Sequence, residues 1–225
     1  TGIRVNGYTY DVLAKLRSNG DKFIPSAPKL KTDVVGRSKY DSFNRAMVTA
    51  RGLRDQKFYN GMSNDKYGRT YSNATALQWQ GDDFNRGLML FDNAVELGKD
   101  GLDHYKQAFM NIAGFDKIPL RERNKLWDLM DEDLILKTAE DPFGNDWWRT
   151  KTDWIETGVF KHLRGINVKY RIPKGEGGTM HVLEEVKKLA KEADPSGEGA
   201  VQFLAMIKER AEMIKWVRDG NNIKK

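Results

Sequence analysis

The sequence predicts an α+β protein that is mostly helical, with one small antiparallel β hairpin in its first half. Apolar residues recur at steps of three and four over much of the 225-residue chain, which is the period of amphipathic helices. One pair of short segments flanks a turn sequence rich in Asn, Asp and Gly, which indicates the hairpin. Hydrophobic residues make up 39% and charged residues 31% of the chain, as in folded proteins.

Composition alone excludes several kinds of functional site. The chain has no Cys, so disulfides, thiolate nucleophiles and Cys-ligated zinc are excluded. It has neither a long apolar run nor a leader-like start, and we expect a cytoplasmic protein, in the host cytoplasm if it is viral. The net charge of +6 favours a polyanionic partner, because Lys and Arg that bind phosphates release condensed counterions.

The first third of the chain is predicted to hold two helices joined by a connector. The stretch from Thr1 to Asn19 has the spacing of one short helix that ends near Gly20. From Asp21 to Gly36, prolines and Gly36 interrupt any period, which predicts an extended connector. A second helix then ends near Gln56, and its apolar face consists of Tyr40, Phe43, Met47, Ala50 and Leu53.

The hairpin and its surroundings come next. Lys57 to Met62 and Thr70 to Leu77 are the predicted strand segments, and Ser63 to Gly68 form the turn between them. A loop from Gln78 to Asp82 follows. The compact apolar run from Leu88 to Phe91 precedes a change to helical signals.

The second half of the chain is predicted to be helical. One helix starts near Gly98 and closes at Gly114, and Pro119 is well placed to begin another. The last helix is predicted from about Gly199 to Val217. A further helix is predicted from Val182 to Ala190, ending at Asp194 and Pro195, after a flexible loop marked by Gly175, Gly177 and Gly178.

No complete active site can be assembled from the titratable residues. The histidines His104, His162 and His181 fit no zinc spacing, and each is expected to be a surface or helix-boundary residue. Adjacent acids at 82–83 and 131–133 point apart on a strand or helix, so we interpret them as solvated acidic surface. We therefore predict no catalytic residue and no metal ligand in this chain.

The hairpin turn carries the most informative residues. Gly68 allows a positive φ and a close approach of nucleic acid, and the Arg69 guanidinium can bind one phosphate through two parallel hydrogen bonds. Asp65 is expected to hold that guanidinium in place. Tyr67 and Tyr71 supply rings that can stack on a base or a sugar. An ordinary hairpin turn with an Asp–Arg ion pair is the alternative that these residues leave open.

Several ordered blocks resemble the single-subunit RNA polymerases of phages and mitochondria. In that family the palm begins with an Asp-x-x-Gly-Arg turn beside the RNA–DNA hybrid, and Asp65, Gly68 and Arg69 match it. The resemblance covers roughly residues 43 to 148 and returns faintly at 202–205, with no counterpart in between. Its later blocks are Gln80 to Asp83 leading to Arg86, Gly87 and Leu88, then 98–102, 111–117 with Glu122 and Arg123, and Asp146 to Trp148.

The resemblance implies that two polypeptides together form the polymerase. The metal-binding Asp motifs and the fingers helix of the family have no match here, so the chain resembles the smaller, N-terminal chain of a split two-subunit phage RNA polymerase. A larger partner would supply the carboxylates that bind Mg2+, and a large interface with it is expected. The residues implied to bind template and transcript are Asp65, Lys66, Gly68, Arg69, Tyr71 and Arg86.

The resemblance also implies a domain organisation. Residues 1–36 would be an appendage and connector, and residues 37–95 a thumb-like helix with a partial palm. Residues 96–225 would be a helical palm-insertion module with an extra insert near 149–199. A non-enzymatic basic module that binds nucleic acid or serves as a scaffold remains the main alternative, and an independent hydrolase a more distant one.

Overall fold

A computed structural model of the chain describes residues 2–116, 119–149, 167–171, 177–181 and 198–221. The chain divides into two compact units, residues 1–95 and 96–225. The assignment of these regions as thumb, palm and palm insertion stays a prediction. Within the described residues the structure is mostly helical with small antiparallel hairpins, as the sequence predicts.

The first unit begins with strand β1 (Ile3–Val5) and helix α1 (Gly7–Ser18). Asn6 caps the helix because its side chain accepts a hydrogen bond from Thr9 N. The short helix was predicted correctly and ends where expected, whereas β1 was not foreseen. Helix α1 buries an apolar stripe formed by Val12, Leu13 and Leu16.

Helix α2 (Val34–Leu53) is the longest element of this unit. Its stripe of Phe43, Met47 and Ala50 is buried as predicted. The helix starts earlier than expected, so the assignment of Gly36 to the connector was wrong. Asp33 explains the difference, because its carboxylate accepts a hydrogen bond from Gly36 N at 2.8 Å and caps the first turn.

The predicted hairpin is confirmed, but its first strand lies later in the sequence than expected, and its second strand is shorter. Ser63 and Asn64, which were assigned to the turn, belong to the first strand. Strand β2 (Met62–Asn64) pairs antiparallel with β3 (Thr70–Ser72), and Ser63 lies opposite Tyr71. Helix α3 (Asp83–Gly87) and strand β4 (Met89–Phe91) follow.

A small sheet joins the two ends of this unit. Strand β4 pairs antiparallel with β1, and Ile3 lies opposite Phe91. On the other side of β1, the backbones of Ile3 and Phe58 exchange two hydrogen bonds of 2.9 Å. Phe84 of α3 packs edge-on against Phe43 of α2, with ring centroids 5.0 Å apart.

The second unit consists mainly of helices. Helix α4 (Gly98–Met110) continues into a π-helical turn (Asn111–Phe115), which Gly114 closes with a φ of 85°. Helix α5 (Leu120–Leu129) starts directly after Pro119, so both predicted boundaries are confirmed. Helix α6 (Glu132–Glu140), a 3-10 turn (Asp146–Arg149) and α7 (Glu198–Arg218) complete the helical elements among the described residues.

Aromatic side chains form the core of this unit. Phe109 contacts Trp127 and Phe203 edge-on, with centroid distances of 4.8 and 5.2 Å. Trp147 packs on Phe203 and donates a hydrogen bond to Thr138 Oγ1 at 2.7 Å, so its buried indole N–H is satisfied.

A second hairpin corrects one prediction about the glycine-rich stretch. Strand β5 (Asn167–Arg171) pairs antiparallel with β6 (Gly177–His181), so Gly177 and Gly178 belong to a strand and not to a loop. Backbone pairing to Arg171 and Tyr170 outweighs the low strand preference of glycine. The predicted helix from Val182 to Ala190, and the residues His162 and Gly175, lie outside the described residues.

Candidate nucleic-acid interface

The turn between β2 and β3 is held by the carboxylate of Asp65. Asp65 Oδ1 accepts hydrogen bonds from Tyr67 N at 2.8 Å and from Arg69 N at 2.9 Å. The backbone closes the same turn, since Asp65 N donates to Arg69 O and Gly68 N donates to Asp65 O. Gly68 has a φ of 77°, which explains why a glycine is needed there. The sequence Asp-x-x-Gly-Arg therefore encodes a rigid turn.

The expected contact between Asp65 and the Arg69 guanidinium is not present. No salt bridge joins these two side chains, although both belong to the described hairpin. The expectation was wrong, since Asp65 Oδ1 instead accepts hydrogen bonds from two backbone amides inside the turn. Asp65 thus orients the backbone that carries Arg69 and leaves the guanidinium exposed.

Two cations surround one exposed ring at the tip of the hairpin. Lys66 Nζ lies 4.9 Å and the Arg69 guanidinium carbon 6.0 Å from the centroid of the Tyr67 ring. Tyr67 is 73% exposed. Neither cation forms a salt bridge with a carboxylate among the described residues. The tip is therefore an exposed positive site with an aromatic face, which suits a phosphate backbone.

The remaining predicted site residues lie near the tip or on the neighbouring helix. Tyr71 is in β3 and is 44% exposed, so its ring is accessible. Arg86 lies on α3 and forms a salt bridge of 2.7 Å with Asp83, three residues earlier. The paired carboxylate neutralises part of its charge, so Arg86 contributes less positive field than Arg69. An i, i+3 spacing of opposite charges in a helix could have indicated this pair.

Gln80 was quoted in the resemblance but not predicted as a site residue. Its Oε1 accepts a hydrogen bond from Ser72 N at 2.8 Å, and its Nε2 donates to Thr70 O at 2.9 Å. The side-chain amide therefore pairs with β3 as a neighbouring strand would. Gly81 follows, where a Cβ would lie only 2.9 Å from Asn85 Cβ, so a larger residue does not fit.

Asp82 is a structural residue, which corrects its interpretation as solvated acidic surface. Its Oδ1 accepts from Asn85 N at 2.9 Å and caps α3, while its Oδ2 accepts from Ser42 Oγ at 2.7 Å. Asn85 in turn accepts from Leu77 N. Asp131 caps α6 in the same way, by accepting from Leu134 N. Asp82 thereby links the loop before α3 to Ser42 of α2.

Two further blocks of the resemblance meet within the second unit. Arg123 of α5 donates hydrogen bonds to the side chain of Asn111 and to the backbone carbonyl of Asp116. The side chain thereby ties α5 to the π-helical turn that ends α4. This contact explains why a block centred on Asn111 and an Arg in the next helix occur together.

No metal centre is evident in the part of the chain that the structure describes. No group of three or more His, Cys, Asp and Glu residues in that part is arranged to hold a metal ion. The expectation that Mg2+ is bound by another polypeptide stays a prediction. None of the described helices is both long and apolar enough to cross a membrane.

A profile described as DNA-dependent RNA polymerase matches residues 95–157 of this chain. A mitochondrial DNA-directed RNA polymerase of Neurospora crassa is 39% identical over 113 residues, which cover 49% of this chain and 8% of that protein. The predicted resemblance to this polymerase family is confirmed. A mitochondrial polymerase of Schizosaccharomyces pombe is 26% identical over 67% of this chain, and one from Enterobacteria phage K11 is 29% identical over 62%.

The similarity to these RNA polymerases is partial in extent. The chain spans 8% of the Neurospora protein and 16% of each of the other two. The profile match covers α4, α5, α6 and the 3-10 turn, which include the contact between Arg123 and Asn111.

Proposed function

We propose that this chain is a part of a DNA-dependent RNA polymerase in which the β2–β3 hairpin holds the RNA–DNA hybrid. The observation that carries this proposal is the exposed guanidinium of Arg69 on a turn whose backbone is fixed by Asp65. A fixed turn restricts where the guanidinium can go, so less entropy is lost when it binds a phosphate.

The side chains of the hairpin suit binding to a nucleic-acid backbone more than recognition of a base sequence. Arg69 would bind one backbone phosphate through two hydrogen bonds, and Lys66 would add positive charge beside it. Gly68 would allow the duplex to approach the turn, since no side chain projects there. Tyr71 would contact the template strand. Arg86 would contribute less, because Asp83 already neutralises part of its charge.

We further propose that the chain is a non-autonomous subunit that acts with a larger polypeptide. That partner would carry the palm carboxylates that bind Mg2+ and the fingers that bind the nucleotide, and Mg2+ would act on the attacking and leaving oxygens. This part of the proposal is supported by the resemblance to the smaller chain of a split phage polymerase. A cytoplasmic location, in the host if the protein is viral, also stays a prediction.

The test is reconstitution of nucleotide incorporation on a single-stranded template. The chain is mixed with the candidate larger subunit, and each protein alone serves as the control. We expect synthesis only from the mixture, and shorter transcripts when the chain carries Arg69→Ala. A chain that purifies as a lone monomer, binds duplex and never supports synthesis would instead indicate a non-enzymatic binding module.

A further inference from the structure

The β2–β3 hairpin, whose turn carries Arg69, buries little of its own surface. Each strand has three residues; Ser72 is half-buried, and the other five strand residues are exposed. A two-stranded hairpin is marginally stable in water unless it packs against other elements. The position of the Arg69 guanidinium within the first unit therefore depends on contacts other than apolar packing.

The side chain of Gln80 supplies such a contact along β3. Gln80 Oε1 accepts a hydrogen bond from Ser72 N at 2.8 Å, and Gln80 Nε2 donates to Thr70 O at 2.9 Å. Backbone groups of alternate residues in a strand point to the same side, so one amide can bond to both. Thr70 directly follows Arg69, so these two hydrogen bonds hold the strand next to the guanidinium.

Gln80 itself lies in a segment that is fixed at both ends. At one end, Leu77 has a φ of 52°, which is strained for a bulky side chain. It is held there because Leu77 N donates to Asn85 Oδ1 at 2.7 Å and Leu77 O accepts from Asn60 Nδ2 at 2.9 Å. At the other end, Asp82 accepts a hydrogen bond from the Asn85 side chain at 2.7 Å. Both ends of the segment are therefore bonded to α3.

We propose that Gln80 is a positioning residue, which holds β3 and thereby the guanidinium of Arg69 in place for the RNA–DNA hybrid. Gln80 would act through the backbone of β3 and not by touching the nucleic acid. Without its two hydrogen bonds the hairpin would sample more orientations, and more entropy would be lost when Arg69 binds a phosphate. The inference rests on the proposed function, because it assumes that the hairpin binds the hybrid.

The test replaces Gln80 with methionine, which has a similar length and no amide. Gln80 is exposed, so we expect Gln80→Met to fold, with a thermal unfolding midpoint close to that of the wild type. We expect the full chain carrying Gln80→Met to bind an RNA–DNA hybrid about tenfold more weakly, because two hydrogen bonds are lost. Hydrogen exchange at the Ser72 amide should become faster. Wild-type affinity, or unchanged exchange at Ser72, would overturn the inference.

The salt dependence of the same binding separates positioning from direct contact with a phosphate. Gln80→Met removes no charge, so the slope of log K against log salt should equal that of the wild type. In Arg69→Ala the slope should fall by about 1, because one phosphate contact is lost. A slope that falls equally in Gln80→Met would contradict a positioning role.

Gln56→Met is the matched control for the change from amide to thioether. Gln56 follows α2, is exposed, and its side chain forms no hydrogen bond among the described residues. We expect this variant to bind the hybrid as the wild type does. An equal loss of affinity in Gln56→Met and Gln80→Met would show that the hydrogen bonds of Gln80 to β3 are not the cause, and would overturn the inference.

A double substitution shows whether Gln80 acts through Arg69. In an Arg69→Ala background no guanidinium is left to be positioned, so Gln80→Met should have a much smaller effect than in the wild type. The same tenfold loss in both backgrounds would overturn the inference and leave the proposed function standing. Hybrid binding that is unaffected by Arg69→Ala would instead contradict the role of Arg69 in the proposed function.

Discussion

Asp65 binds the backbone amide of Arg69 and not its guanidinium, with Oδ1 2.9 Å from Arg69 N. The same oxygen accepts a second hydrogen bond, from Tyr67 N. An acid that formed an ion pair with the guanidinium would compete with phosphate for it. An acid that holds the backbone instead fixes the position of Arg69 and leaves all its donors for a ligand.

Removing the acceptor at Asp65 should loosen the turn without changing its charged tip. In Asp65→Ala both backbone hydrogen bonds are lost, and each is worth about 1 kcal/mol. Asp65→Asn keeps a carbonyl oxygen in the same place and should preserve the turn. We expect faster hydrogen exchange at the Tyr67 and Arg69 amides in Asp65→Ala only. Unchanged exchange in that variant would show that the backbone closes the turn by itself.

Gly68 and Gly52 form a matched pair for testing backbone strain. A Cβ at either position would meet no atom within 4 Å, so steric overlap plays no part. Gly68 has a φ of 77°, and Gly68→Ala should cost about 1 kcal/mol because side chains disfavour this conformation. Gly52 lies in helix α2, and Gly52→Ala should stabilise the chain by about 0.5–1 kcal/mol. Thermal unfolding midpoints of the two variants should therefore move in opposite directions.

Asp92 should make the first unit sensitive to acid. Hydrogen bonds from Lys57 and Arg4 hold the pKa of Asp92 below its usual value. Because the folded-state pKa is the lower one, the stabilisation is present above the unfolded pKa of about 4 and is lost as pH falls through the folded pKa. Asp92→Asn should therefore lose less stability on acidification than the wild type does.

The control for this experiment is Asp41→Asn. Asp41 is exposed on α2 and forms no ion pair among the described residues. Unfolding midpoints measured from neutral pH to about pH 2, well below the usual Asp pKa, should decline alike in Asp41→Asn and in the wild type. An identical decline in Asp92→Asn would contradict the role given to the ion pairs.

Arg210 of α7 is a buried cation, and we expect replacement by lysine to destabilise the chain more than replacement by methionine. Its guanidinium lies 3.6 Å from the Trp127 ring centroid, and it donates to Trp127 O at 2.9 Å. Burial lowers the pKa of Arg210 to about 10, so the side chain is still charged at neutral pH. Lysine would keep the buried charge but lose the planar face, whereas methionine removes the charge and keeps the apolar stem.

We therefore expect Arg210→Lys to be less stable than Arg210→Met by about 1–3 kcal/mol. The measurement is the free energy of unfolding of the two variants in urea, followed by tryptophan fluorescence. A lysine variant as stable as the wild type would show that the flat guanidinium face is not needed there.

Local patterns predicted much of the fold from the sequence. The helical period of apolar residues predicted the buried stripe of α2. The chemistry of proline predicted the start of α5 after Pro119, and that of glycine predicted the hairpin turn at Gly68. Strand β1 could not be found this way, because it is defined by pairing with β4 across a long stretch of sequence. Three residues with strand-like character carry too little signal by themselves.

The residues of the candidate site were predicted from the sequence, but the hydrogen bonds that they form were not. Sequence motifs identified Asp65, Gly68 and Arg69, and the structure places all three in one turn. Whether the Asp65 carboxylate binds a backbone amide or a guanidinium depends on backbone and side-chain torsion angles that the motif does not specify. The exposure of Trp79 could not be predicted from the sequence either, since an aromatic residue in an apolar context is usually buried.

We propose that Arg69 binds a phosphate of the RNA–DNA hybrid. The most direct test is the salt dependence of hybrid binding by the wild-type chain, Arg69→Ala and Arg69→Lys, with Arg86→Ala for comparison. We expect Arg69→Ala to weaken binding by about 1.5–3 kcal/mol and to reduce the slope of log K against log salt by about 1. Lysine should restore the slope but not all of the affinity, and Arg86→Ala should have a smaller effect. Wild-type affinity and an unchanged slope in Arg69→Ala would contradict the claim.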